Sequence, residues 1–522
     1  MKNENDTRIP HSGLTRRSVL IGAAAGFAAT AGGLLMPLSA RAAPRKGGKL
    51  RFGVGGGSTS DTLDPRNWTD IFMYLIGCSV RGNLVEVLAD GSIAPEIAES
   101  FEPSNGHATW AFRIRKGIKF SNGKPVTPED VIATVNLTRK SHSASGMTAL
   151  LAQITDIKAD GPETVVFTLE AGNIDFPFAL ADYTMGIMPF EDGKPVFDVG
   201  AGPYLLRNFQ AGISATLERN PDSFKQGNFD SVELISIADP VARQSALVSG
   251  EVDLINRVDP KTAQLLKRSP NIFVGNTPGR RYYAFTANGS LDPFVNVHVR
   301  QALKYGVQRD ELVKKILYGF GSVGNDQPIS RDYRFHNPDI AARSYDPDKA
   351  RFHLKAAGVD SINVKLSTAD AAYTGAVDAS VLYAEQAAKG GINITVDRRP
   401  NDGYWSQVWM KTPFFTSYWG GRPTEDAILT MAWSKASDSN ESGMSDPRVE
   451  DLIKAARREG DEAKRRQIYG DIQQLVSDEY SVVIPMFADF VFAANKSVVP
   501  SERVSGIAEM DGARCLERWS FA

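Results

Sequence analysis

The stretch Trp110-Ala111-Phe112-Arg113-Ile114-Arg115-Lys116-Gly117-Ile118-Lys119-Phe120-Ser121-Asn122-Gly123-Lys124-Pro125-Val126-Thr127-Pro128-Glu129-Asp130-Val131 sets a strand and a helix start one turn apart. Trp110, Phe112 and Ile114 alternate with Ala111, Arg113 and Arg115, the period-two pattern of a strand with one covered face. Ile118 and Phe120 continue that pattern until Asn122-Gly123 turns the chain. Thr127-Pro128-Glu129-Asp130 then puts a capping hydroxyl before a proline at the first helical position, with an acid three residues on. Strand and helix signals in close succession make the chain α/β.

The same signals recur on both sides. Lys49–Val54 reads as a strand running into the loop Gly55–Ser60, and Thr164–Leu169 repeats the alternation, so 85–200 is strand-rich. Asp239-Pro240, Asp346-Pro347 and Asp446-Pro447 are further caps with proline at the first helical position. Behind Asp346, the residues Ala350, Leu354 and Ala357 share one helix face, and Gly358 suits a left-handed stop. Ile468, Ile472, Leu475 and Val476 form an amphipathic stripe, and Ile362–Leu366 and Ile392–Val396 are strand candidates.

The 522 residues are 42% hydrophobic and 23% charged, an ordinary globular balance. Fifty-nine Lys and Arg against 61 Asp and Glu give no electrostatic reason for a nucleic-acid partner. Thr15-Arg16-Arg17-Ser18-Val19-Leu20, the Ala/Gly-rich run to Ala40 and the small-x-small Ala40-Arg41-Ala42 read as a twin-arginine signal peptide over 1–42. The expectation is cleavage after Ala42 and a soluble periplasmic chain from Ala43, with no other run near the ~20 apolar residues that cross a bilayer. Cys78 and Cys515 are expected to be two buried thiols rather than a bridge.

Catalytic signatures are missing. His11, His107, His142, His298, His336 and His353 are scattered without metal-ligand spacing, and there is no Cys-x-x-Cys, phosphate loop or Gly-x-Ser-x-Gly elbow. Gly53-Val54-Gly55-Gly56-Gly57-Ser58 lacks the third glycine of a dinucleotide fingerprint. The expectation is no enzyme, no cofactor and no metal; a carboxylate-pair hydrolase is the class that scattered acids leave open.

Several segments, in order, resemble the solute-binding proteins of peptide/opine/nickel-type ABC importers, solute-binding family 5. Leu63-Asp64-Pro65, Gly91 to Ser100, the Arg113–Gly123 hairpin and Pro125–Val131 carry the first half of the resemblance. Gly202-Pro203-Tyr204, Glu218-Arg219-Asn220-Pro221, Gly250-Glu251-Val252-Asp253, Val299–Leu303 and Tyr345–Ala350 carry the rest. The resemblance implies a two-lobed periplasmic binding protein of type II, cluster C-like, with an extra strand-rich subdomain. It implies domain Ia at 43–82, 201–286 and 487–522, Ib at 83–200, and domain II at 287–486. It also implies a monomeric carrier that closes on a small peptide or peptide-like ligand and hands it to the importer's permease subunits. An opine, a sugar or another anionic amino-acid conjugate is the alternative.

In that family the segment after a Trp-x-Gly motif faces the cleft; here it reads Tyr418-Trp419-Gly420-Gly421-Arg422-Pro423-Thr424-Glu425-Asp426. Trp419 offers a flat wall or a core residue beneath the loop, and Gly420 and Gly421 let ligand approach backbone. Arg422 stands where dipeptide-type members carry an Asp for the ligand's ammonium, and a guanidinium suits a carboxylate instead. Glu425 or Asp426 can take an amino group or neutralise Arg422. Ser58, Thr59 and Ser60 are expected to face the cleft from the first lobe. Trp409, four residues after Trp405, is a second wall or core, Tyr204 a contact or a packing residue, and Arg280-Arg281 a solvated basic pair.

Overall fold

The computed structural model describes residues 44–140 and 146–522. The signal peptide with its cleavage site, the start at Ala43, and His142 lie outside the described residues.

Strand Thr109–Ile114 is where the alternation puts it, inside a four-stranded antiparallel sheet ordered Ala98–Ser104, Thr109–Ile114, Thr164–Leu169, Ile154–Ala159. Trp110 lies opposite Phe167 and Phe112 opposite Val165, and all four side chains are buried. Such cross-strand pairs contribute roughly 0.2–1 kcal/mol each. Helix Pro128–Arg139 begins on a full capping box: Thr127 accepts from the Asp130 amide, and Asp130 accepts from the Thr127 amide at 3.1 Å. Asp239, Asp346 and Asp446 cap their helices through their side chains as well. The helix Pro347–Ala356 buries Ala350 and Leu354, and Gly358 follows at φ +83°.

The second sheet is eleven-stranded and built around two long antiparallel strands, Ile272–Ala287 and Val482–Asn495. On one side the sheet continues through Leu254–Ile255, Lys49–Val54 and Ser231–Ser236. On the other, Tyr282–Ala287 pair with Phe414–Trp419, and Ile362–Thr368 and the parallel Ile392–Arg398 complete it. The register between the long strands slips between Thr277 and Arg281, so each strand serves both halves of the sheet. One apolar core runs from the four-stranded sheet into the helices Glu425–Trp433, Pro447–Arg458 and Glu462–Glu479. Cys78 and Cys515 are free and buried, and burial pushes the Cys78 thiol up to about 11.

Behind strand Phe414–Trp419 lies a buried carboxylate. Glu441 Oε2 accepts from Ser417 Oγ at 2.6 Å and Thr286 Oγ1 at 3.3 Å, and Oε1 accepts from Trp409 Nε1 at 2.6 Å. No basic side chain among the described residues pairs with it, and burial pushes it up from 4.5 to about 7. Between those two values the folded chain holds a proton the unfolded chain has released. The contribution to stability is therefore complete below the lower value and lost as pH rises through the upper one. Glu441→Gln keeps the shape and removes the charge, so it is expected to gain on the order of 2 kcal/mol over the native chain at pH 8 and little at pH 4.5. Urea melts of both chains at the two pH values check this; parallel pH profiles would refute the assignment.

Candidate binding site

Two cavities border the Tyr418–Pro423 segment, the smaller one on the seam where this segment meets the strand-rich subdomain. The larger, about 150 Å³, is bordered by Arg257, Arg281, Tyr283, Asp370, Tyr373, Tyr418 and Asp489. The smaller, about 40 Å³, is bordered by Cys78, Asp182, Tyr183, Gly421, Arg422, Ile507 and Arg514. Tyr418 and Arg422 belong to the one segment that reaches both.

Arg422 is 7% exposed. Its Nη1 donates to the carbonyls of Gly420 at 3.3 Å and Gly421 at 3.1 Å, and its Nε reaches Met431 Sδ at 3.3 Å. No carboxylate among the described residues comes within ion-pair distance. Burial opposes the charge, but Tyr183, Asp182 and Tyr74 around it leave the guanidinium more firmly protonated than usual. Asp182 shares the cavity, though its Oδ1 is taken by the hydroxyl and amide of Thr184. Tyr74 and Tyr183 stack beside it with centroids 3.7 Å apart. A buried cation is costly unless paired or well hydrogen-bonded, and this one has carbonyls, a thioether and an aromatic ring as its neighbours.

The glycines beside it differ. A Cβ at Gly421 would stand 2.2 Å from the Ile507 carbonyl and 2.6 Å from Arg280 Cβ, so only glycine lets the C-terminal segment close over the loop. At Gly420 the nearest atom would be Arg422 Nη1 at 3.5 Å, ordinary contact.

The other expected residues have different work. Trp419 is 8% exposed, sits in the core opposite Tyr282 and borders neither cavity. Asp426 is buried and accepts from Arg457 Nε at 2.8 Å, Thr430 Oγ1 at 3.0 Å and Asn173 Nδ2 at 3.2 Å. Glu425 accepts from the Phe335 amide at 2.7 Å, so neither acid neutralises Arg422. Trp409 spends its indole on Glu441 and borders neither cavity. Tyr204 is buried and donates to the Leu516 carbonyl at 2.8 Å, a packing role. Ser58, Thr59 and Ser60 are exposed, and Ser58 and Thr59 pack against Gly212, where a Cβ would stand 2.7 Å from the Thr59 nitrogen. That turn joins strands Tyr204–Gln210 and Ser214–Arg219, away from both cavities.

Arg280 and Arg281 are not a solvated pair. Arg280 lies 4.2 Å over the Tyr333 ring and donates to the Arg422 and Pro423 carbonyls. Arg281 shares Glu509 with Arg257, each at 3.0 Å. Burial opposes the charge on Glu509, but the two guanidiniums hold its carboxyl below the ordinary range. Arg257, Glu509, Tyr74 and Tyr183 carry no sequence motif; their convergence is tertiary.

The acids Glu86, Glu96 and Glu517 come close enough to suggest a metal. Lys225 Nζ lies 2.5, 3.2 and 2.7 Å from them, and Arg514 pairs with Glu96 at 2.7 Å. The ammonium already fills the place a cation would take.

Residues 92–441 match the family described as "Bacterial extracellular solute-binding proteins, family 5 Middle". The nickel-binding periplasmic protein of Escherichia coli is 24% identical over 470 residues, 81% of this chain and 86% of its own. The probable D,D-dipeptide-binding periplasmic protein of the same organism is 23% identical, covering 85% of this chain and 90% of its own. Among solved structures, a periplasmic binding protein of A. tumefaciens R10 in complex with agropinic acid superposes with a TM-score of 0.82 at 24% identity, covering 91% and 99% of the two chains. A Helicobacter pylori binding protein holding the peptide STSA gives 0.79 at 21%, covering 91% and 98%. These folds are two-lobed, with mixed α/β sheets. With the family matched across most of its length, the chain belongs to the bacterial extracellular solute-binding proteins of family 5.

Proposed function

We propose that this chain is the exported, non-catalytic binding subunit of an ABC importer, and that it captures a small peptide-like or opine-like solute bearing a carboxylate. The observation that carries the ligand class is Arg422, a buried guanidinium with no carboxylate partner among the described residues. A ligand carboxylate supplies the missing charge through charge-assisted hydrogen bonds. A neutral sugar would leave the cation uncompensated. Relatives of this fold hold agropinic acid and the peptide STSA, ligands of this kind.

The larger cavity takes the opposite end. Asp370 and Asp489 border it with no cation at ion-pair distance among the described residues, while both arginines there are committed to Glu509. Burial pushes the Asp489 carboxyl up from its ordinary value, as expected for a carboxylate lacking a counter-charge. An ammonium placed between Asp489 and the Tyr283–Tyr373 stack, whose centroids are 4.0 Å apart, would restore balance. The solute thus lies with its carboxylate at Arg422 and its positive end toward Asp489.

Transport function is then differential binding. Ligand favours the closed form only through contacts absent from the open one. Domain II, the Ib subdomain and domain Ia close around the seam, the long strands acting as the hinge. The closed, loaded form docks on permease subunits as a monomer, in the periplasm, after cleavage following Ala42.

Two substitutions test this. Arg422→Met is expected to weaken binding of free-carboxylate peptides and opines by about 10–100-fold in calorimetry. C-amidation of the ligand should cost the same, and the two losses should not add. Equal affinity of the native chain for free and amidated ligands would sink the carboxylate assignment. Gly421→Ala puts a methyl against the Ile507 carbonyl, so it is expected to weaken every ligand about tenfold or more while the melting temperature of ligand-free protein stays within a few degrees. Unchanged affinity would show that the loop does not close against the C-terminal segment.

A further inference from the structure

Asn173, Ile174 and Asp175, a three-residue segment of the strand-rich subdomain, reach across the seam to three helices of the second lobe. Arg465, from helix Glu462–Glu479, pairs with Asp175, and both side chains are buried. Asn173 Nδ2 donates to Asp426 Oδ2 at 3.2 Å, in helix Glu425–Trp433. The Ile174 amide donates to the Arg457 carbonyl at 2.9 Å, at the end of helix Pro447–Arg458.

Both sides hold their groups ready. Asn173 is fixed in its own subdomain by Gln153 at 2.9 Å, and its carbonyl accepts from Trp110 Nε1 at 3.2 Å. On the far side, Arg457 Nε steadies Asp426 at 2.8 Å, and Arg465 donates to the Ala456 carbonyl at 3.0 Å and lies over the rings of Phe335 and Tyr469. Helix Glu425–Trp433 is the direct continuation of the Gly420–Thr424 loop, with Thr424 as its cap. Whatever holds this helix against the subdomain also fixes where Arg422 stands.

We propose that the Asn173–Asp175 segment is the latch of the closed form, and that it positions the Arg422 loop without touching ligand. The proposal rests on the two-lobed carrier reading, and it assigns the closing contact to the strand-rich subdomain. The physical argument is one of state dependence. A buried ion pair adds little by itself, because both groups regain water when separated, but removing one partner strands the other in a dry site. With the seam open, Arg465 is solvated and the loss of Asp175 costs nothing. With the seam closed, Arg465 is buried without its counter-charge. Removing Asp175 therefore penalises the closed form selectively, and apparent affinity falls by the fraction of competent molecules.

The test uses the full mature chain with Asp175→Ala and, separately, Asn173→Ala. Hydrogen–deuterium exchange is read without ligand at the Ile174 amide and at helix Glu425–Trp433, together with the radius of gyration from solution scattering. Asp175→Ala is expected to speed exchange at the seam tenfold or more and to enlarge the radius, while amides in the four-stranded sheet keep native protection. Asn173→Ala, which leaves the Asp426–Arg457 pair whole, should give a smaller change of the same sign. Native exchange at the seam in both variants would overturn the latch, as would uniformly faster exchange in Asn173→Ala, which marks a purely structural role. Should Asp175→Ala fail to fold, Asn173→Ala alone decides by the same readouts.

Trialanine separates the latch from the ligand reading. Its affinity is expected to fall about tenfold in Asp175→Ala, as it would for any ligand, since the segment makes no ligand contact. If trialanine does not bind the native chain, the peptide reading fails, while the exchange data still decide the latch.

Discussion

Everything in this fold depends on two strands being shared. Ile272–Ala287 and Val482–Asn495 belong to both halves of the large sheet, so the halves are joined by a continuous ladder rather than by a flexible linker. The ladder's register shifts between Thr277 and Arg281 and again between Tyr283 and Phe285, and under the proposed function the halves bend at the first of these. Arg280 and Arg281 sit at this bend, which explains why neither is left to solvent. One is bound to the carbonyls of the Arg422 loop, and the other to Glu509 of the C-terminal segment. The proposed hinge and the proposed site are thus bound to each other directly.

From the hinge outward, the charges follow one logic. Several cations near the seam are paired with carboxylates. Arg257 and Arg281 have Glu509, Arg457 has Asp426, Arg465 has Asp175 and Arg514 has Glu96. Arg422 has only carbonyls, a thioether and aromatic neighbours. Arg243 and Arg280 are likewise held by carbonyls; Arg422 differs from them in bordering the smaller cavity, and under the proposed function a ligand carboxylate brings its counter-charge there. The same logic disposes of the acidic trio around Lys225, which is a paired cluster between the subdomain and the C-terminal segment.

The fold was largely legible because its signals are local. The Trp110–Arg115 alternation, the Thr127 capping box, the Asp-Pro helix starts and the Gly358 stop each involve residues within a few positions of one another. The order of the family-like segments extended that reading to the whole architecture. The site was only half legible. Gly421 and Arg422, which border the smaller cavity, could be singled out because their segment follows a recognisable tryptophan, whereas nothing local announces the bonds Asp426 makes. Its partners Asn173 and Arg457 lie 253 and 31 residues away, so no local pattern announces them. The surroundings of Ser58 and Thr59 are equally non-local: their loop meets Gly212, in a hairpin far along the chain.

Glu509 shows why some of the site could not be read at all. The residues after it, Met510, Asp511, Gly512 and Ala513, all have positive φ, between 53° and 69°. Three of the four are not glycine, and each such residue costs on the order of 1 kcal/mol in that region. The conformation persists because Asp511, fully buried, accepts from the Ser505 amide, Ser501, Arg518 and Trp519. The strain places Glu509 between Arg257 and Arg281 and sets Gly512 and Arg514 on the border of the smaller cavity. Arg257 itself adopts φ +46° to meet it. A turn this costly, tied down from four directions, fixes one carboxylate between Arg257 and Arg281. Those two guanidiniums already share a protein carboxylate, whereas Arg422 is held by carbonyls and a thioether, which is the contrast the proposed carboxylate site draws on.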